Sequence, residues 1–185
     1  MPKDQIAGLP ALKTELGFKG RVWDVVSDTF EFDGVPLTRD YIRHPGAVAV
    51  IALNEAQEVL LIRQYRRAVD SFLWELPAGL LDVAGESLET AALREFAEET
   101  ELTAAKLERL ISFHTSPGGN SETIHVFVAT EISKTAIDFV RTGEESDLQP
   151  TWVPLVEAVA SVMASHMKNP AAVVAILALA RRLGI

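Results

Sequence analysis

Cysteine is missing from this 185-residue chain, and its absence excludes several kinds of chemistry. Without a thiol the chain can form no disulfide, no thiolate-bound zinc site and no cysteine nucleophile. A protein that needs no disulfide suits a reducing compartment, so we expect a cytoplasmic location.

Long apolar runs are also missing. The longest, at residues 171–180, is too short to cross a bilayer, and residues 1–10 lack the basic start and apolar core of a signal peptide. Lysine and arginine number 17 against 26 acidic residues, which gives a net charge of -9. We therefore expect no membrane and no nucleic acid as a partner. A small phosphorylated ligand stays compatible with this charge, because bound cations and local arginines can reverse the field inside a cleft.

The N-terminal quarter of the chain differs in pattern from the rest. Residues 1–19 carry weak structural signals, whereas residues 21–32 and 35–43 read as strands on either side of an Asp-Gly turn. A His-Pro-Gly break follows. We predict a β extension over residues 1–45, a β-hairpin or small sheet, and a main domain over residues 46–185.

The main domain alternates apolar strands with a few helices. Its strands are predicted at 47–53, 59–65, 73–77, 106–114, 123–132 and 151–153, its helices from about 88 and at 155–167 and 170–183, and an acidic connection at 133–150. Strands followed by one helix, more strands and two helices indicate an α/β fold with mixed strands rather than a regular βαβ repeat.

The most unusual stretch covers residues 79–102, which are rich in glutamate but hold one arginine and no lysine. A solvated helix usually mixes its charges, because like charges one turn apart destabilise it. Helical periodicity places Glu95 and Glu99 on the apolar side, with Glu98 beside them. A buried carboxylate must be paired, protonated or bound to metal, and Arg94 alone cannot neutralise three acids. The stretch therefore predicts a metal site.

The same stretch resembles the Nudix box: Gly, five residues, Glu, seven residues, then Arg-Glu-U-x-Glu-Glu-x-Gly-U, where U is apolar. The matching residues are Gly79, Glu86, Arg94, Glu95, Phe96, Glu98, Glu99 and Leu102. Two positions depart from the pattern. Six residues instead of five separate the first glycine from the first glutamate, and Glu101 replaces the second glycine. We expect the extra residue in a loop, while Glu101 puts the geometry of the helix exit in doubt, because glycine would cap it.

Three further segments resemble the ADP-ribose pyrophosphatase branch of that family: residues 75–79 (ELPAG), 63–66 (RQYR) and 116–119 (SPGG) followed by Glu122. The resemblance covers about residues 20–155 and implies a Nudix-type α/β/α sandwich with a mixed sheet. It implies hydrolysis of ADP-ribose to AMP and ribose 5-phosphate by a homodimer that exchanges N-terminal strands. Two alternatives stay open: another nucleoside diphosphate sugar or dinucleotide as substrate (ADP-glucose, GDP-mannose, NADH), and a ligand-binding module without catalysis.

The resemblance also implies roles for the acidic residues. The cofactor would be Mg²⁺, with Mn²⁺ as an alternative, because hard cations prefer oxygen ligands. The implied metal ligands are the Ala78 carbonyl, Glu95, Glu98 and Glu99. The implied catalytic residues are Glu122 as general base, Glu98, and Arg94, which would anchor the loop by pairing with Glu86 or Glu98. The plainer interpretation of the helix glutamates is a solvated acidic face, and the plainer interpretation of Glu122 is a solvated acid in a loop.

The implied substrate-binding residues are Trp23, Arg63, Arg66, Glu75 and Gly119. For Arg63 and Arg66, a salt bridge to Asp70 or Glu75 is about as good an interpretation as contact with the diphosphate. Trp23 could be a core residue instead of stacking on adenine. The four histidines show no metal-ligand spacing, so we assign them no catalytic role, although the position of His44 before Pro45 is compatible with the lining of a cleft.

Overall fold

A computed structural model describes residues 1–136 and 149–185 of the chain, which divide into two compact units. The first consists of residues 1–45 and 114–122, and the second of residues 46–113 and 123–185. Most of the predicted acidic connection at 133–150 lies outside the described residues.

The first unit contains a three-stranded antiparallel sheet in the order β1-β2-β3. Its strands are β1 (Ala11–Lys19), β2 (Asp24–Phe32) and β3 (Val35–Arg43). The β2–β3 hairpin turns at Asp33 and Gly34, whose φ angles of 50° and 76° fit the predicted Asp-Gly turn. The prediction of weak structure for residues 1–19 was wrong over β1. That strand is exposed at every residue, so main-chain pairing to β2 holds it, and no buried face left a pattern in the sequence.

The second unit holds two sheets. One has the order β7-β4-β9-β8 and the other β10-β5-β6. The strands are β4 (Ala47–Ala52), β5 (Glu58–Arg66), β6 (Ser71–Glu75), β7 (Ala78–Leu80), β8 (Leu102–His114), β9 (Thr123–Lys134) and β10 (Thr151–Pro154). Because β4 runs antiparallel to β7 and parallel to β9, the sheet is mixed, as predicted.

Three helices cover the two faces of β4, all six residues of which are buried. They are α1 (Leu88–Thr100), α2 (Leu155–Met163) and α3 (Pro170–Leu183), and a short 3-10 turn spans Arg67–Val69. Alternate β4 side chains pack in one cluster with α2 and α3 and in another with α1. This is the predicted α/β/α arrangement. Within the described residues, no helix is long and apolar enough to cross a membrane.

Both departures from the Nudix pattern are accommodated locally. The extra residue falls in the segment 81–87 between β7 and α1, where Gly85 has a φ of 80°. At the other end of α1, Glu101 adopts the left-handed conformation with a φ of 59°, and its N–H donates to the Ala97 carbonyl. The helix therefore ends with the geometry that a glycine usually provides, although a glutamate occupies the position.

Candidate active site

Among the acidic residues at 79–102, Glu99 is the most buried, with 7% of its surface exposed. Its Oε2 accepts a hydrogen bond of 3.0 Å from the main-chain N–H of Ala78, the first residue of β7. The carboxylate of Glu99 is thus held beside the same residue whose carbonyl was predicted to bind the metal.

Glu95 lies one turn earlier on the helix and approaches the next residue of β7. A β-carbon added to Gly79 would lie 1.9 Å from the carboxyl carbon of Glu95, far inside any allowed contact. Gly79 therefore makes room for this carboxyl group, which gives the first glycine of the pattern a physical reason.

Arg94 ties the loop before α1 to the helix. Its Nε and Nη2 donate to Oε1 and Oε2 of Glu86 at 3.0 and 2.9 Å, the bidentate geometry favoured by a guanidinium. Its Nη1 donates to Glu95 Oε1 at 2.7 Å and lies 3.5 Å from Glu98 Oε2. These partners raise the pKa of Arg94, Glu86 most strongly, and Arg94 in turn lowers the pKa of Glu86. The structure thus contains the pairing predicted between Arg94 and the loop.

The Glu95 carboxyl group occupies an environment that favours a cation. Burial is the main cause that raises its pKa, the negative charges of Glu98 and Asp82 add to the effect, and Arg94 opposes it. Among the described residues, no three acidic or histidine side chains converge on one point. Mg²⁺ needs only one or two carboxylates, since waters and phosphate oxygens complete its shell. The oxygen-only donor set of Glu95, Glu99 and the Ala78 carbonyl therefore fits a divalent ion of this kind.

Glu122 belongs to the first unit, and both of its carboxylate oxygens have partners. Thr115 Oγ1 donates to Oε2 at 2.6 Å, and His44 Nε2 lies 3.2 Å from Oε1. The main-chain N–H of Glu122 donates to Asn120 Oδ1 at 2.9 Å. The predicted general base is therefore held in one orientation.

The loop that carries Glu122 is hydrogen-bonded to the end of β3. Ile42 N–H donates to the Gly119 carbonyl at 2.9 Å, and Ser121 N–H donates back to the Ile42 carbonyl at 3.0 Å. Gly119, a predicted substrate-binding residue, thus uses its carbonyl to hold the loop. A cavity of about 390 Å³ lies beside these contacts. It is lined by Arg39, Asp40, Tyr41, Pro117, Gly118, Asn120 and Ser121.

Trp23 stacks on His44, with ring centroids 4.2 Å apart and an angle of 28° between the planes. The sequence assigned no catalytic role to the histidines, yet His44 contacts two predicted site residues, Trp23 and Glu122. The sequence signal that could have pointed to His44 was its position before Pro45 and Gly46, because its spacing from other residues matches no catalytic or metal-binding motif. Trp23 is half-buried, and its role toward adenine stays a prediction.

The predicted phosphate-binding arginines lie on β5. Arg66 forms a bidentate ion pair with Glu75 through bonds of 2.9 and 2.6 Å, and Glu75 is only 3% exposed. Of the two acids considered as salt-bridge partners, Asp70 and Glu75, it is Glu75 that pairs with Arg66. The guanidinium of Arg63 lies 4.7 Å from the ring centre of Phe72, within cation–π range. Their contacts with substrate stay predictions.

Residues 43–174 match the family described as the NUDIX domain, which is more than half of the chain. The chain therefore belongs to the Nudix family, and residues 79–102 are the segment that resembles the Nudix box.

Three relatives of known name are similar to this chain in sequence. An ADP-ribose pyrophosphatase of Mycobacterium tuberculosis is 37% identical over 77% of this chain and 68% of its own length. An ADP-ribose pyrophosphatase of Bacillus subtilis is 41% identical over 63% of each chain. A methanol dehydrogenase activator of Bacillus methanolicus is 44% identical over 66% of each chain. The matched part of this chain thus spans about two thirds of the length of these relatives.

A solved structure supports the fold. The crystal structure of an ADP compounds hydrolase superposes with a TM-score of 0.79 and covers 98% of this chain and 97% of its own. At 23% identity this likeness concerns the fold alone.

Proposed function

We propose that this Nudix protein hydrolyses the pyrophosphate of ADP-ribose to AMP and ribose 5-phosphate with the help of Mg²⁺, or alternatively Mn²⁺. The observation that carries the proposal is the placement of Glu95 and Glu99 against the backbone of Ala78 and Gly79. The two relatives named ADP-ribose pyrophosphatase support this choice of substrate. The cytoplasmic location predicted from the absence of cysteine is part of the same proposal.

The metal-binding part of the site consists of Glu95, Glu99 and the Ala78 carbonyl, with Glu98 alongside. When bound, the ion neutralises phosphate charge and polarises the bond to be broken. Arg94 keeps the loop before α1 in place through its ion pairs to Glu86 and Glu95.

Glu122 accepts the proton of the attacking water as the new oxygen–phosphorus bond forms and the bridging oxygen leaves with the other phosphate. Its carboxylate is held by Thr115 and His44, which is the positioning a general base needs. Arg63 and Arg66 bind the diphosphate, Glu75 orients Arg66 through their ion pair, and Trp23 stacks on the adenine. Gly119, whose N–H and carbonyl both take part in main-chain hydrogen bonds, contributes to substrate binding by holding its loop in place.

The homodimer with exchanged N-terminal strands is supported by the surface of β1. Leu12, Leu16 and Phe18 are 63%, 57% and 66% exposed in a strand with no buried residue. Three large apolar side chains exposed on one strand provide apolar area that a partner surface can cover. We propose that a second copy of the chain covers it.

Retention of every box carboxylate argues against a ligand-binding module without catalysis, because such a module has no need of Glu95, Glu98 and Glu99 together. One relative favours a second candidate function, since it is named a methanol dehydrogenase activator. Adding the protein to a methanol dehydrogenase and measuring turnover tests that role. Glu99→Gln should abolish any activation that depends on hydrolysis and leave activation by binding alone unchanged.

The substrate is tested with a panel of ADP-ribose, ADP-glucose, GDP-mannose, NADH and diadenosine polyphosphates, with Mg²⁺ and with Mn²⁺. Products are separated by chromatography and quantified. We expect the highest kcat/KM for ADP-ribose, with AMP and ribose 5-phosphate in equal amounts and no turnover in excess chelator. A higher kcat/KM for another member of the panel would replace ADP-ribose as the substrate.

A further inference from the structure

We propose that His44 is a positioning residue that holds the Glu122 carboxylate and links it to the ring of Trp23. The proposal rests on the proposed function, in which Glu122 accepts the proton of the attacking water. It assigns a role to a residue type for which the sequence predicted none.

His44 donates a hydrogen bond to the carboxylate of Glu122. An ionised carboxylate only accepts hydrogen bonds, so the hydrogen between His44 and Glu122 belongs to Nε2 of the imidazole. The Nε2–Oε1 distance is 3.2 Å, and Thr115 Oγ1 occupies the other oxygen at 2.6 Å. Two donors on two different oxygens fix the plane of the carboxylate. Lone pairs remain for the proton of a water, because a carboxylate has about four acceptor sites.

His44 is itself held by several contacts. Its side chain is only 4% exposed, and its ring stacks on Trp23. Its main-chain N–H donates to Ser121 Oγ at 2.9 Å, and the following Pro45 restricts its backbone to extended conformations. The imidazole therefore has little freedom to swing away from Glu122.

The backbone segments that carry His44 and Glu122 are hydrogen-bonded to each other. The segment 42–44 and the segment 119–121 are joined by main-chain hydrogen bonds and by the bridge between Ile42 and Asn120. Glu122 is thus attached to the end of β3 in two ways. Its side chain contacts His44, and its loop is hydrogen-bonded to Ile42. The stacked ring of Trp23 extends this framework to the residue proposed to receive the adenine.

Two substitutions separate the two contacts of His44. His44→Phe keeps a ring for Trp23 but removes the donor, whereas His44→Gln keeps an N–H close to the position of Nε2 but removes the ring. We expect His44→Phe to lower kcat by about 10- to 100-fold with KM within about 3-fold of wild type, since a misplaced catalytic group loses rate. We expect His44→Gln to retain kcat within about 3-fold and to raise KM.

A double-mutant cycle then tests whether His44 acts through Glu122. In the Glu122→Gln background, His44→Phe should change kcat by less than about 2-fold, because groups that act as a unit are not additive. Circular dichroism and thermal unfolding verify the fold of each variant. If His44→Phe does not fold, His44→Leu, which also removes the donor, replaces it in the same cycle.

The outcomes are distinct. Three results would overturn the positioning role while ADP-ribose hydrolysis stands. They are a normal kcat for His44→Phe, an equal effect of His44→Phe on kcat with and without Glu122, and an unchanged kcat for Glu122→Gln. An inactive wild-type protein on the whole substrate panel would overturn the proposed function and the role of His44 with it.

Discussion

The carboxyl group of Glu95 lies so close to Gly79 that a β-carbon at position 79 would be 1.9 Å from the carboxyl carbon. The overlapping atoms belong to the end of a flexible side chain rather than to backbone. A larger residue at position 79 would therefore displace Glu95 without preventing the chain from folding.

We accordingly expect Gly79→Ala to lower kcat/KM for ADP-ribose by about 100-fold or more, because a misplaced group near the reacting atoms loses most of its effect. Thermal unfolding should change little. Glu95→Ala is the matched comparison, and the double variant should be no worse than Glu95→Ala alone. Normal activity of Gly79→Ala would show that the position of Glu95 against β7 is not needed.

Glu99→Gln should reduce turnover by about 100-fold or more while leaving the fold intact. The amide oxygen of glutamine can still accept the hydrogen bond from Ala78 N–H, so the change removes charge more than structure. Product release is measured with Mg²⁺ present. Glu89→Gln, an exposed acid of the first turn of α1, serves as control and should keep turnover within about 2-fold. Near-normal turnover of Glu99→Gln would contradict the metal assignment.

Glu101→Gly should stabilise the protein. Glu101 has a φ of 59°, and a residue with a β-carbon loses about 1 kcal/mol or more in that conformation relative to glycine. Part of this gain is offset by the extra freedom of glycine in the unfolded chain. We expect an increase in Tm of about 1 to 3 °C by calorimetry.

The control for that variant is Glu89→Gly, which places glycine in the first turn of α1, at a position without a positive φ. It should destabilise the protein by about 0.5 to 1 kcal/mol. A lower Tm for Glu101→Gly would show that the left-handed conformation carries no strain.

Protonation of His125 should make the free energy of unfolding change with pH. Burial lowers the pKa of His125 from its usual 6.5, and the charge of Arg109 adds to the effect. Its Nδ1 lies 2.8 Å from Arg109 Nη2 and 2.9 Å from Ser112 Oγ. The unfolded chain then binds the proton more readily than the folded one, so this contribution to the free energy of unfolding is present above pH 6.5 and is lost as pH falls through the lowered pKa.

His125→Asn retains an acceptor near Nδ1 but does not titrate. Urea unfolding of both proteins between pH 8 and pH 5 measures the effect. The stability of wild type relative to His125→Asn should decrease as the pH falls below about 6.5. Two parallel curves would exclude a lowered pKa at this histidine.

Leu16→Glu should weaken the proposed dimer, because it places a charge in the apolar surface of β1. Sedimentation or light scattering should show a dimer for wild type and a larger monomer fraction for the variant. The matched control is Glu15→Gln, which changes charge on the same strand but adds no buried charge. A monomeric wild-type protein, or an unchanged dimer in Leu16→Glu, would contradict the exchange of N-terminal strands.

The sequence predicted the main strands, the helices and the mixed α/β class because each rests on local periodicity. β4 reads as a continuous apolar run because both of its faces are buried, and α1 shows its apolar side at helical spacing. By contrast β1 was missed. Its pairing with β2 depends on main-chain hydrogen bonds between segments, and such bonds place no requirement on side-chain pattern.

The candidate site shows the same division. The sequence by itself indicated the kind of chemistry, since three glutamates around one arginine leave negative charge that a bound cation would balance. The tertiary structure decided which contacts are made: Glu95 against Gly79, Arg66 with Glu75, and His44 with Glu122. His44 and Glu122 are far apart in the chain, and only the pairing of the β3 end with the 115–122 loop brings them together. Local composition fixes which groups are present, but the distances between them are set by long-range strand and loop pairing.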